Sequence, residues 1–226
     1  MTRRSRRSFR RENMASMSED GSPDLHVIVL AAGEAKRFGS PKQLVRINGR
    51  PLLHGVIGRG VAVAGHSVIV VLGAYATELA PLLRHTPATV IVNRQWSEGM
   101  GSSIRTGIAA LPGTAEAVLI LLADQPLVTA EDLRRLVGVW RRQPSQIVAA
   151  QYGTTNGAPA IFPSWTFAEL GALRGDQGAR VLLRRHGERL VRVPMASAAI
   201  DIDTPEDLLQ VETDPRPSAT VSGPDD

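Results

Sequence analysis

Short apolar runs recur along the chain, each closed by a glycine, an asparagine or an aspartate. The first, residues 27–32, reads Val-Ile-Val-Leu-Ala-Ala and stops at Gly33. Others cover 67–72 before Gly73, 89–92 before Asn93, and 117–122 before Ala123 and Asp124. Runs of this kind, rich in β-branched residues and lacking polar alternation, predict strands buried on both faces of a sheet. Helix signals fall between them. Pro51 predicts a helix that carries it in the first turn and runs to about residue 63. A short helix is expected over 77–84. The small residues Ser97, Gly99, Gly101, Ser102 and Ser103 open another that ends near 111. Thr129, with Asp132 three positions later, marks the start of a helix over 129–142. Strand and helix alternating with short links predict a mostly parallel sheet covered on both faces, a Rossmann-like three-layer α/β/α fold. Ligands of such sheets sit beyond the carboxyl ends of the strands, so Gly33, Gly73, Asn93 and Asp124 are expected to face one crevice.

The second half is less regular. Residues 146–152 predict a strand, 153–157 a turn and 158–162 a second strand, together an antiparallel insertion. Gly175 to Arg180 opens another helix. Ile-Asp-Ile-Asp at 200–203 predicts a short strand ending at Asp203, with Thr204 as N-cap and Pro205 at the first helical position.

Composition narrows the class. The 226 residues are 43% hydrophobic, enough for one sizeable core. Cysteine is absent, which excludes disulfides and thiolate metal sites. No apolar run approaches the roughly 18 residues of a membrane span. The net charge of +4 is modest and fits a small anionic substrate no better than it fits none. Residues 1–24 stand apart, with six arginines followed by acidic residues. They resemble the start of a twin-arginine export signal but lack the apolar stretch that must follow. They are expected to be a disordered basic extension or an over-long start, with Met14 or Met17 as the true initiator. A nucleic-acid-binding arm is the functional alternative, and the lack of any other basic stripe speaks against it. Residues 212–226 are expected to be a disordered tail.

The candidate chemistry begins at Gly33. A buried strand that ends in a glycine-punctuated loop with cations suits phosphate, because glycine lets backbone N–H groups approach and a cation neutralises charge. Of the 26 Lys and Arg residues only Lys36 and Lys42 are lysines, and both lie in this loop. The spacing fits neither the P-loop nor the dinucleotide fingerprint. Asp124, at a strand end, suits either of two roles, a turn carboxylate or a ligand of a hard cation. Asp203 is expected in the same kind of place.

The loop Leu30-Ala31-Ala32-Gly33-Glu34-Ala35-Lys36-Arg37-Phe38-Gly39-Ser40-Pro41-Lys42-Gln43-Leu44 resembles the signature L-A-A-G-x-S-x-R-M-G-x-x-K-x-L of nucleotidyltransferases of the molybdenum-cofactor group. Ala35 and Phe38 depart from it. Further pieces agree: Asn93 with Trp96, Gly99 and Ser103; Asp124-Gln125-Pro126; Gly157-Ala158-Pro159; Gly175-Asp176-Gln177-Gly178-Ala179-Arg180; and Asp201-Ile202-Asp203-Thr204-Pro205-Glu206-Asp207-Leu208. As a set they resemble the molybdenum cofactor cytidylyltransferases. That resemblance implies a fold of the nucleotide-diphospho-sugar transferase type over residues 25–211. It implies a cytoplasmic enzyme that transfers CMP from CTP to the terminal phosphate of molybdopterin and releases pyrophosphate. Mg²⁺ would be the cofactor, and a molybdoenzyme or its chaperone the receiving partner, with no nucleic acid or membrane involved.

The same resemblance assigns roles. Leu30, Ala31, Ala32, Gly33, Arg37, Lys42, Gly73, Gly99 and Ser103 would bind nucleotide. Arg37, Lys42 and Asp124 would serve catalysis, and Asp124 and Asp203 would hold the metal. Gln125, Asn156, Asp176 and Gly178 would face the acceptor. Leu-Ala-Ala-Gly is the cytidine version of the loop, where guanylyl-transferring relatives carry Leu-Ala-Gly-Gly. Removal of Lys42 is expected to leave stability unchanged, as for an exposed loop lysine. Two alternatives stand beside this reading. One is an NAD(P)H-dependent oxidoreductase like nicotine blue reductase, the other a sugar-phosphate nucleotidyltransferase.

Overall fold

The structure, a computed structural model, describes residues 24–212. The expectations for the extension and the tail lie almost wholly outside the described residues. Asp24, assigned to the extension, belongs to the folded body: its carbonyl accepts the N–H groups of Glu116 and Ala117 at 3.0 and 3.2 Å.

The first strand, β1 (Leu25–Ala31), is buried on both sides. A hairpin of β2 (Arg46–Ile47) and β3 (Arg50–Pro51) follows the glycine loop. Helix α1 (Leu52–Ala64) starts one residue later than expected, because Arg50 and Pro51 pair with β2. Then come β4 (Val68–Leu72), the short α2 (Ala76–Leu79), β5 (Thr89–Val92), α3 (Met100–Ala109) and β6 (Ala117–Leu122). Helix α4 (Ala130–Arg142) leads to the antiparallel pair β7 (Ile147–Tyr152) and β8 (Thr155–Pro163). The chain closes through α5 (Phe167–Leu170), α6 (Arg180–Arg185), β9 (Leu190–Pro194) and α7 (Pro205–Glu212).

Seven strands form one sheet in the order β5-β4-β1-β6-β8-β7-β9. Only β8 runs against its neighbours. Side chains alternate across a strand, and β1 shows the result. Val27, Val29 and Ala31 join one buried cluster with α1 and α4; Ile28 and Leu30 join a second with Ile104 of α3 and Leu182 and Leu183 of α6. These two clusters separate the three layers.

Three expectations need correction. The turn between β7 and β8 is only Gly153-Thr154, so Asn156 and Gly157 are strand residues. Strand β9 was not foreseen. Residues 200–203 form no strand. Ile202 is fully buried, but its N–H goes to the Asp124 carbonyl at 2.8 Å rather than to a strand partner. Asp203 therefore approaches Asp124 from a loop, not from a second strand end.

Candidate active site

Strands β1 and β6 run in register, with Leu30 opposite Leu122, so the segments that follow them emerge side by side. After β1 the chain turns at Ala35, which has a φ of 51° and whose carbonyl accepts the N–H groups of Phe38 and Gly39 at 2.9 and 3.1 Å. The returning chain brings Gln43 beneath the loop. Gln43 is 2% exposed, and its side-chain amide lies 3.3 Å from the Ala31 carbonyl and 3.4 Å from that of Gly33. Sequence reasoning passed over Gln43 because it occupies an unspecified place in the signature. It fixes which way the backbone from Ala31 to Gly33 faces.

A cavity of ≈ 480 Å³ opens above these strand ends. Leu30, Ala31, Ala32, Gly33, Arg37, Lys42, Gly99, Ser103, Asp124, Asp176 and Asp203 all line it, together with Trp96 and Met100. Gly73 does not. A Cβ there would lie 2.5 Å from the Ala32 carbonyl oxygen and 2.6 Å from Trp96 Cβ, so this glycine permits close packing behind the cavity wall. Ser103 accepts a hydrogen bond from the buried Asn93 amide at 3.0 Å, which also donates to Ser102 at 2.7 Å.

At the floor, Lys42 binds both aspartates. Its Nζ donates to Asp124 Oδ2 at 2.9 Å, Asp203 Oδ1 at 3.0 Å and the Ile202 carbonyl at 2.8 Å. Arg37 Nη2 takes the other oxygen of Asp203 at 2.9 Å. The Lys42 side chain is only 12% exposed, which corrects the view of it as an exposed loop lysine. Burial lowers its pKa, but Asp124 and Asp203 outweigh this, and the ammonium is held above its ordinary value of 10.5. Asp124 Oδ1 is buried and accepts no hydrogen bond.

A second cavity of ≈ 790 Å³ lies beside the first and shares Leu30, Met100, Leu122, Asp124, Asp176 and Asp203 with it. Its floor is apolar, with Ile104, Ile120, Ala160 and Phe162, and Arg180 and Arg184 reach it from α6. Gly178 lines this cavity too, where a Cβ would lie 2.9 Å from Met100 Sδ. Asp201, which opens the Asp-Ile-Asp-Thr-Pro-Glu-Asp motif but has no assigned role, also faces it. Burial, then the charge of Asp124, raises its carboxyl to about 6, against a hydrogen bond from Gln125. The rim between the cavities is latched. Glu98 accepts two hydrogen bonds from Arg105, at 2.8 and 2.6 Å, and Gly101 N–H donates to the Gly175 carbonyl at 2.9 Å.

Gln125 and Asn156, expected to face the acceptor, line neither of the two cavities. Gln125 is 2% exposed, and its amide nitrogen donates to the carbonyls of Ala158 and Ala198, at 3.2 and 3.0 Å. It braces the turn that carries Asp124. Asn156 sits on β8 opposite Gln151, outside the walls of both cavities.

The donor set fits a hard divalent cation. Mg²⁺ takes one or two protein carboxylates and completes its shell with water and phosphate oxygens. Asp124 and Asp203 share one cationic partner, which puts those oxygens within about 6 Å of each other, two hydrogen-bond lengths. The partnerless Asp124 Oδ1 offers a further acceptor. Among the described residues no group of three or more His, Cys, Asp or Glu side chains could hold a metal.

Known proteins agree with this architecture. Nicotine blue oxidoreductase of Paenarthrobacter nicotinovorans is 32% identical over 206 residues, covering 86% of this chain and 100% of that protein. The bifunctional protein GlmU of Sorangium cellulosum is 34% identical over 174 residues, but the chain spans only 34% of its length and the match covers 72% of this chain. A Mycobacterium tuberculosis H37Rv protein solved in complex with manganese superposes with a TM-score of 0.69 at 26% identity, over 83% of this chain and 97% of that one. The fold is that of the nucleotide-diphospho-sugar transferases. The family model described as the MobA-like NTP transferase domain matches residues 27–190, from the first strand to the start of the last. A match of that extent, over a shared fold, makes this chain a member of the MobA-like NTP transferase family.

Proposed function

We propose that this chain is a Mg²⁺-dependent cytidylyltransferase that transfers CMP from CTP to the terminal phosphate of molybdopterin. The observation that carries the reading is the pair of adjoining cavities that meet at Asp124 and Asp203. One has a glycine loop and cations suited to a triphosphate. The other has an apolar floor and arginines suited to a flat heterocycle that bears a phosphate. An oxygen of the acceptor phosphate attacks the α-phosphorus of CTP, the bond to the β-phosphate oxygen breaks, and pyrophosphate leaves with that electron pair. A phosphate monoester is ionised at neutral pH, so no general base is needed. The protein positions the two substrates and neutralises charge.

Backbone N–H groups from Ala31 to Gly33 bind the triphosphate, and Arg37 and Lys42 stabilise the departing pyrophosphate. Asp124 and Asp203 would hold the metal, which when bound would neutralise phosphate charge. Ala32 supports the cytidine choice, because its methyl group narrows the space for a base. Such an enzyme would work in the cytoplasm and pass its product to a molybdoenzyme or its chaperone.

The test measures pyrophosphate release from CTP, GTP and ATP with molybdopterin and Mg²⁺. Turnover with GTP equal to or above that with CTP would sink the cytidine assignment. The similarity to nicotine blue oxidoreductase favours a second reading, an NAD(P)H-dependent reductase. A rise in thermal midpoint with NADPH but with no triphosphate would select it.

A further inference from the structure

We propose that Lys42 is a tethered counter-ion that competes with a divalent cation for the Asp124–Asp203 pair, so that metal and triphosphate load together. The proposal rests on the reading above that this pair holds the metal.

An ammonium has three N–H donors and no acceptor. All three are engaged, two by the aspartates and one by the Ile202 carbonyl. Lys42 in this arrangement has no proton left for a phosphate, although it lines the triphosphate cavity. The same oxygens are the ones a divalent ion would need. Mg²⁺ binds oxygen at about 2.1 Å and tolerates little distortion, so it cannot share the gap that the ammonium spans. The two cations exclude each other.

The charges around the pair explain how the exchange proceeds. Lys42 and Arg37 face Asp124 and Asp203, two positive groups against two negative ones. Asp201 adds negative charge from the side of the second cavity. A bare divalent ion must expel an ammonium that would then keep no charged partner in a largely buried place. A triphosphate changes the balance, because its oxygens receive Lys42 and Arg37 as the metal takes the carboxylates. Partners are exchanged and each charge stays compensated. The flexible stem of lysine allows this swing, which a planar guanidinium with fixed donors would not.

The measurement is Mn²⁺ binding without nucleotide, read from the free-ion signal in electron paramagnetic resonance. Lys42→Met should bind Mn²⁺ about tenfold or more tightly than the unaltered protein, as expected when a competing charge is removed at contact distance. Adding CTP or GTP should strengthen binding to the unaltered protein far more than to the variant. Equal or weaker binding by Lys42→Met, or none by either protein, overturns the proposal. Asp124→Asn in the Lys42→Met background should abolish the tight binding. If binding persists, the metal assignment of the pair falls, whatever nucleotide the enzyme prefers.

A second measurement needs no variant. The chain has two lysines, and their side chains differ sharply, Lys36 being 81% exposed and Lys42 12%. In protein labelled with ¹³C at lysine Cε, the Lys42 signal should move toward that of Lys36 when Mg²⁺ and CTP are added together. A Lys42 signal that stays in place while Mn²⁺ binding is demonstrated overturns the proposal.

Discussion

Replacing Lys42 by alanine removes three hydrogen bonds, strips Asp124 of its ion-pair partner and leaves Asp203 with Arg37 alone. Turnover should fall by about 100-fold or more, as when a charge-stabilising group is lost from a transfer site. Stability should fall too, by about 1–2 kcal/mol in denaturant melts; solvent around Asp203, 42% exposed, keeps the figure low. The pH dependence has a definite sign. Because the folded pKa of Lys42 is raised, its contribution is complete below 10.5 and is lost as pH rises through the higher folded value. An alkaline loss of thermal stability that is smaller in the variant would show it. Gly99→Ala offers a purely steric contrast. Gly99 has a φ of +116°, and a Cβ would lie 2.4 Å from Asp176 Oδ1 and 2.6 Å from the Gly175 backbone. That variant should lose about 2 kcal/mol or more and loosen the rim between the cavities. The glycine loop was legible in the sequence because its residues are contiguous. The partners of Lys42 were not, since Asp124 and Asp203 lie 82 and 161 positions away and no local pattern pairs them.

Helix α4 shows which elements a sequence announces. Thr129 and Asp132 form the reciprocal cap expected of them, and Asp132 also accepts from Ser197 at 2.7 Å and Arg135 at 2.9 Å. Burial would raise the Asp132 pKa, but these donors, led by the Thr129 N–H, lower it below 3.8. Its stabilisation is therefore present above pH 3.8 and is lost as pH falls through the folded value. Asp132→Ala should cost about 1–2 kcal/mol in melts at pH 7, and the difference from the unaltered protein should shrink in acid. The central strands were legible because burial on both faces demands unbroken apolar runs. Strand β9 was hidden because it lies at the sheet edge, where Arg192 and Pro194 are exposed and break the pattern. At 200–203 the opposite happened. Alternating Ile and Asp imitate a half-buried strand, but no neighbouring strand pairs with them, and the alternation serves to bury Ile202 while Asp201 and Asp203 face the cavities.

Across the molecule, the sheet divides the work. The parallel strands β1 and β6 end beneath the cavity assigned to nucleotide, and the antiparallel β8 floors the cavity assigned to the acceptor. Hydrogen exchange should follow this division. Nucleotide triphosphate with Mg²⁺ should slow exchange over 31–43 and 97–103, while residues 176–184 respond mainly to the acceptor. Uniform protection of both regions by nucleotide alone would count against two separable compartments. Class and layering could be read from strand–helix alternation, but the position of β8 between β6 and β7 could not, because an antiparallel partner is chosen by distant packing. The three tryptophans happen to sample these regions separately. Trp140 is sealed in the core at 1% exposure, Trp165 lies at the surface beside His186, and Trp96 forms part of the nucleotide cavity wall. Emission from Trp140 should be blue-shifted and indifferent to ligands, and Trp165 should stay open to collisional quenchers such as iodide. A ligand-induced change in intensity would then report on Trp96 alone, giving the molecule an internal fluorescent gauge of nucleotide occupancy that Trp96→Phe should silence.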